Sequence, residues 1–474
     1  MLRSRSLPLL SALLLLAACD SETATSGGGT GADDQGGGGQ AVGPASLHFF
    51  VDERPHDPAN EEHESDEGRF SDPVRIVARS LGPKRKVRLE TSLGSWAVFE
   101  ADQDGTVDLG RDAPLEGSWD SVDVDGPIWS GPNATSTAHD YEVWLTDAAT
   151  EESLASGTFH RLTVDVGVET TVISEGTRVG TLARPAVPAA RSRPAVLVFG
   201  GSEGGASSGT YFARYLAQLG YTSFGVGYFG APGLPMDLER VPLEILEEDL
   251  AFLASQPDVD PTRIAVMGGS RGGELALMLG ARFPDRVRAV IAQVPSGYVW
   301  GAASGGGGPA WTYGGEDIPF VPSAGAFPES YFEDGEQFFI FSPTFLASIE
   351  AASPDELALA TTRAELIGGP VLLLAGEDDN LWPSCALADV AWQRLAASGH
   401  VATHGDEAHC FPSAGHFIAF PPGTSTLSST AYHNAQYDIW IDVGGTPRGN
   451  AAAKRAGDSA TRAFLERALG EGGP

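Results

Sequence analysis

The sequence predicts an α/β fold, a doubly wound and mostly parallel sheet, preceded by a smaller all-β sandwich. Three observations lead there. Past Arg193, continuous apolar runs alternate with helical patterns, as expected of strands covered on both faces by crossover helices. Between residues 46 and 164, short runs rich in Val, Ile, Thr and aromatics often alternate with polar residues, the pattern of sheets with one face on a core. A chain of 474 residues has room for both units.

The N-terminus comes first in order. Residues 1–19, MLRSRSLPLLSALLLLAAC, place Arg3 and Arg5 before an apolar run from Leu7 to Ala18. That run is too short to span a bilayer and reads as a signal peptide. Its end, Leu16-Ala17-Ala18-Cys19, resembles the lipobox of bacterial lipoproteins, which makes Cys19 the expected lipidation site. The expected location is the bacterial cell envelope, lipid-anchored on the periplasmic face or the cell surface. Residues 20–45 are Gly-rich and polar, a flexible tether.

The sandwich is assigned to residues 46–164, from SLHFFVD, PVRIVARS, KVRLETS, SWAVFEA, YEVWLTDA and GTFHRLTV. Turn signals separate these runs, as in immunoglobulin-like domains. TTVISEGTRVGTLARP then reads as a hairpin leading into a second domain, residues 165–474. There PAVLVFG (194–200), YTSFGVGYF, RIAVMGG (263–269), VRAVIAQ and PVLLLAG read as strands. YFARYLAQLG, residues 238–255 and GELALMLGARF read as helices. Residues 298–345 break the rhythm with twelve aromatics and a GGGG run. They read either as a lid over a site or as a satellite core.

Charge removes whole classes of partner. The net charge of −33, from 63 acidic and 30 basic residues, argues against nucleic-acid binding and against polyanionic ligands generally. No CxxC or HExxH spacing occurs, so no metal or other cofactor is expected. With Cys19 assigned to a lipid, Cys385 and Cys410 are left as one conceivable disulfide.

Gly268-Gly269-Ser270-Arg271-Gly272 matches G-x-S-x-G, with an apolar strand before it and a helical pattern after it. That strand–turn–helix setting is what the nucleophile elbow of an α/β-hydrolase requires, which makes Ser270 the expected nucleophile. A serine hydroxyl needs a base, and the base needs an orienting carboxylate. The chain order Ser, acid, His points to the acidic loop after PVLLLAG, where Asp378 and Asp379 both qualify, and then to His416. His404, His409 and His433 are rival bases. The developing oxyanion requires backbone amides, expected from Arg271 and from near Ser202 in the Gly-rich loop 200–205.

Several segments together resemble the acyl-CoA thioesterase / bile acid-CoA:amino acid N-acyltransferase family. They are GGSEGG, GYFGAPGLP (227–235), GGSRGGEL (268–275), AGEDDNLW (375–382), SAGHFIAFPP (413–422) and GGTPRGNAAA (444–453). FEADQDGTVDL and APLEGSWDSVDVDGPIWS are similar to that family's β-sandwich region. The resemblance implies a Ser270–Asp379–His416 triad, and a serine nucleophile implies hydrolysis rather than transfer to an amino acid. The expected substrate is a small acyl thioester or carboxylic ester. Export and acidity set this chain apart from enzymes acting on acyl-CoA itself. The same fold also carries peptidases and dienelactone-type hydrolases. A reading from another class is a non-catalytic binding lipoprotein.

Overall fold

The computed structural model describes residues 43–470 except 136, 138, 189, 303–306, 420 and 436–437. The expected signal peptide, Cys19 and nearly all of the expected tether lie outside the described residues. Eight strands build the large sheet: β1 (Val168–Glu175), β2 (Arg178–Pro185), β3 (Arg193–Phe199), β4 (Thr222–Gly227), β5 (Val259–Gly269), β6 (Ala289–Gln293), β7 (Val371–Gly376) and β8 (Glu407–Phe411). Their order across the sheet is β1-β2-β4-β3-β5-β6-β7-β8. β3 to β8 pair in parallel. β1 and β2 form an antiparallel hairpin, and β2 runs antiparallel to β4.

Every residue of β3, β6 and β7 is buried, which is why these strands read as unbroken apolar runs. Helices α1 (Ser207–Gln218) and α5 (Pro447–Leu469) cover one face. Their Phe212, Leu216, Phe464 and Leu465 pack on Val196, Val198, Ala265 and Met267. Helices α2 (Glu244–Ala254), α3 (Arg271–Arg282) and α4 (Ser384–Ala397) cover the other. There Leu246, Leu250, Leu275 and Leu395 meet Leu197, Phe199 and Val266.

One expected helical stretch is corrected. Residues 238–255 read as one helix, but α2 begins only at Glu244. Val241–Pro242 instead pairs in parallel with Trp311–Thr312, because proline lacks an N–H and pushes its predecessor to extended geometry. At the C-terminus two strands, Ala431–Asn434 and Ile439–Asp442, precede a single long helix, α5. Thr446 caps it by accepting from the Gly449 amide, with Pro447 at the first helical position.

Residues 46–162 form two sheets of four and six strands around one core that includes Phe49, Ile76, Leu89, Phe99, Tyr141 and Phe159. In Asp140–Asp147, Tyr141, Val143 and Leu145 are buried while Asp140, Glu142 and Trp144 are exposed, the alternation that fixes register. Helix α5 ties this sandwich to the large sheet. Ala451 enters the sandwich core. Arg455 makes a two-pronged ion pair with Asp125, both bonds 2.6 Å, and Arg462 binds Asp72 at 3.0 Å.

The aromatic-rich segment divides. Trp300 and Trp311 are buried, so its first half is core. Glu329–Glu333 and Glu336–Ile340 form a hairpin that joins Ile439–Asp442 and Ala431–Asn434 in a separate four-stranded sheet. Phe327 and Phe332 on that hairpin side are exposed.

Candidate active site

Ser270 stands between β5 and α3 with φ 58° and ψ −123°, a region a side-chain-bearing residue occupies only when its surroundings impose it. The surroundings are close backbone contacts. A Cβ on Gly268 would lie 2.3 Å from the Gly272 carbonyl oxygen, and one on Gly272 would lie 2.2 Å from that of Gly200. Only glycine fits at both positions. The Ser270 amide donates to Gln293 O at 2.9 Å, and its carbonyl accepts from Gly273 and Glu274. The turn therefore places Ser270 at the carboxyl edge of the sheet. The Arg271 amide is one of the first-turn donors of α3 that have no intrahelical acceptor.

The loops after β7 and β8 bring Asp379 and His416 together: His416 Nδ1 donates to Asp379 Oδ2 at 2.8 Å. Both side chains are buried. Asp379 Oδ1 accepts from the Leu381 and Trp382 amides at 3.0 and 3.2 Å, which fixes the carboxylate. Its neighbour Asp378 is exposed, so the geometry separates the two acids that the sequence alone left open. With Nδ1 donating, Nε2 is left as the acceptor nitrogen. Nε2 is buried without a hydrogen-bond partner among the described residues. Ser270 and His416 line the same cavity, of about 660 Å³, with Ser202, Phe212, Phe417 and Tyr432.

The other histidines are placed differently. His400 also holds a buried aspartate, Asp406, through Nδ1 at 2.7 Å, but its Nε2 is taken by Ile367 O at 2.8 Å. Its ring is fully used in holding structure. His409 and His433 face Glu407 and Asp438, and His404 ends a short helix. None of these lines the cavity.

Ser202 lines the cavity. The preceding amide, Gly201, donates to Glu203 Oε2 at 2.9 Å, so the loop's own carboxylate already occupies it.

Asn450 and Glu274, given no role from sequence, support this arrangement, as does the side chain of Arg271. Asn450, fully buried at the start of α5, accepts from the Gly415 amide at 2.7 Å and donates to Ser429. It thereby holds the residue before His416. Glu274, one turn into α3, is fully buried and accepts from Trp311 Nε1 at 2.7 Å. Burial pushes its carboxyl up to about 7. Arg271 donates to the Trp300 and Gly301 carbonyls at 2.9 and 3.1 Å, so α3 and the aromatic segment are fastened together. Tyr432 comes from the separate small sheet. Asn450 and Glu274 both sit inside glycine-rich runs, a signal that buried polar side chains there brace backbone.

Cys385 on α4 and Cys410 on β8 form a disulfide with Cα atoms 5.6 Å apart. It joins the element after the Asp379 loop to the strand before the His416 loop. Among the described residues no group of His, Cys, Asp and Glu has the arrangement of a metal site.

Two family models match this chain. Residues 241–471 match the BAAT / acyl-CoA thioester hydrolase C-terminal model, and residues 71–175 match the acyl-CoA thioester hydrolase/BAAT N-terminal region. The chain belongs to this family. Relatives include acyl-coenzyme A thioesterase 2, mitochondrial, of Homo sapiens, 27% identical over 85% of this chain and 82% of the relative. Acyl-coenzyme A thioesterase 1 of Homo sapiens is also 27% identical, over 85% of this chain and 94% of the relative. Among solved structures, a bacterial heroin esterase aligns at 20% identity with a TM-score of 0.40, over 65% of this chain and 86% of that one.

Proposed function

We propose that this family member is a serine hydrolase that cleaves acyl thioesters or carboxylic esters through Ser270, His416 and Asp379. One observation carries the reading. His416 is buried with Nδ1 held by Asp379 and Nε2 unpartnered, on a cavity shared with a serine in a strained turn.

In this mechanism Nε2 of His416 takes the proton as Ser270 Oγ attacks the carbonyl carbon. Asp379 keeps Nδ1 protonated and stabilises the imidazolium. The amides of Arg271 and Ser202 hold the oxyanion. His416 then protonates the leaving group, and water attacks the acyl-enzyme by the same route. The family's acyl-transfer chemistry supports this assignment, as do the thioesterases among its relatives.

Residues 165–474 are read as the catalytic domain and 46–164 as an immunoglobulin-like accessory domain. We further infer export, with cleavage after residue 18 and lipidation of Cys19 in a bacterial envelope. The Gly-rich tether 20–45 supports this, and a disulfide suits an oxidising compartment. A fluorophosphonate probe is expected to label the protein and to fail on Ser270→Ala. Absence of labelling in folded protein would overturn the hydrolase reading. Radiolabelled palmitate incorporation that survives Cys19→Ala would overturn lipidation at that residue.

A further inference from the structure

The charges around Ser270 point to a substrate class. Among the described residues, the only acidic one lining the cavity with Ser270 and His416 is Glu203, and no Lys or Arg lines it. The point that a Cβ on Gly201 would occupy lies 3.1 Å from Ser270 Cβ and 3.2 Å from Glu203 Oε2. The carboxylate and the nucleophile therefore border one gap.

Beyond Asp379 lies a second cavity, of about 910 Å³, lined by Glu333, Glu377, Asp378 and Asp442 and, among the described residues, again by no Lys or Arg. Its aromatic wall is Tyr331 stacked on Phe338 at 5.4 Å, with Trp440 beside Phe338 at 5.7 Å. The small sheet separates the two spaces, since Tyr432 and Asn434 line the first while Ala431 lines the second.

The nearby cations are committed elsewhere. Arg271 is buried and gives its guanidinium to Trp300 O, Gly301 O and Glu274. Lys454 is buried in a separate small cleft behind Phe212 and Ala419.

We propose that the leaving group of this enzyme's substrate carries no phosphate and is neutral or cationic, and that Glu203 is the residue enforcing this choice. The proposal rests on the hydrolase reading above and deepens it. A CoA leaving group brings several negative charges toward a cavity that holds the Glu203 carboxylate and, among the described residues, no basic side chain. Like charges brought together at a site of restricted solvent are repelled. A neutral thioester meets no such barrier, and an ammonium group is attracted by the Glu203 carboxylate, with Phe212, Phe417 and Tyr432 lining the same cavity.

The test uses one acyl chain on three thiols: CoA, N-acetylcysteamine and thiocholine, whose quaternary ammonium cannot take the acyl group itself. At low ionic strength kcat/KM for the CoA thioester is expected to be at least about tenfold below that for the N-acetylcysteamine thioester, and the gap is expected to narrow as salt screens the repulsion. Glu203→Gln keeps an acceptor for the Gly201 amide but removes the charge. It is expected to raise the ratio of CoA to neutral turnover by about three- to tenfold. Equal or faster turnover of the CoA thioester by the unaltered enzyme at low salt would overturn the substrate class. An unchanged ratio in Glu203→Gln would overturn the role of Glu203. If all three thioesters and the fluorophosphonate probe fail alike, it is the hydrolase reading that falls.

Discussion

Nδ1 of His416 lies 2.8 Å from Asp379 Oδ2, while Nε2 of the same ring is buried without a partner among the described residues. His400 shows what a structural histidine looks like in the same chain, with both ring nitrogens bonded. A buried acceptor nitrogen left unsatisfied costs about 1–3 kcal/mol. On a cavity shared with Ser270 that cost has a chemical use.

Replacing Asp379 by Asn removes the charge but keeps the shape. The expected result is a fall in kcat of about 10⁴, with little change in folding, because the wrong tautomer is favoured. Stopped-flow or steady-state rates on a neutral ester, with circular dichroism as control, check it. Asp378→Asn, at an exposed neighbour, is expected to change kcat by less than about threefold.

Asn450 acts at one remove, through the Gly415 amide that it accepts. Asn450→Ala is expected to lower stability by about 1–3 kcal/mol, since it orphans buried groups. It should lower kcat more than it raises KM. Loss of stability alone, with kcat intact, would show that Asn450 does not position His416.

Glu274 and Asp249 both have carboxyls raised to about 7 by burial. In the unfolded chain such groups titrate near about 4. Between those values the folded state binds more protons, so stability falls as pH rises through that window. Their contribution is complete below about pH 4 and lost once the pH passes about 7. Glu274→Gln keeps an acceptor for Trp311 Nε1 and is expected to flatten that slope. Urea midpoints from pH 4 to 8 measure the difference between the two proteins.

The disulfide closes a sequence separation of 25 residues. Cys385→Ser with Cys410→Ser is expected to lose about 3.5 kcal/mol by the chain-entropy relation. Thermal unfolding with and without reductant provides the check. Unaltered protein under reductant is expected to match the double variant.

Much of this was legible before the structure. Strands such as Val371–Gly376 announce themselves because burial on both faces leaves little room for polar residues. Ser270 is legible because its turn admits only glycine around it. Local pattern fails where partners lie far along the chain. Val241–Pro242 is a strand only because Trp311–Thr312 lies beside it, and the wall carrying Tyr432 forms only by pairing with residues about a hundred positions earlier. Residue pattern alone left Asp378 and Asp379 open and only the family resemblance pointed to Asp379; that one is buried and the other exposed is not something two adjacent acids reveal.

Ala451, Arg455 and Arg462 of the last helix reach into or against the sandwich that the chain builds first. During synthesis the sandwich therefore waits for its final pieces until almost the whole protein has emerged. A chain stopped before Pro447 leaves Asp125 facing no guanidinium and Asp72 with Arg69 alone, and a gap where Ala451 belongs. Premature termination products of this protein are accordingly expected to expose to proteases the sandwich residues that the full chain covers.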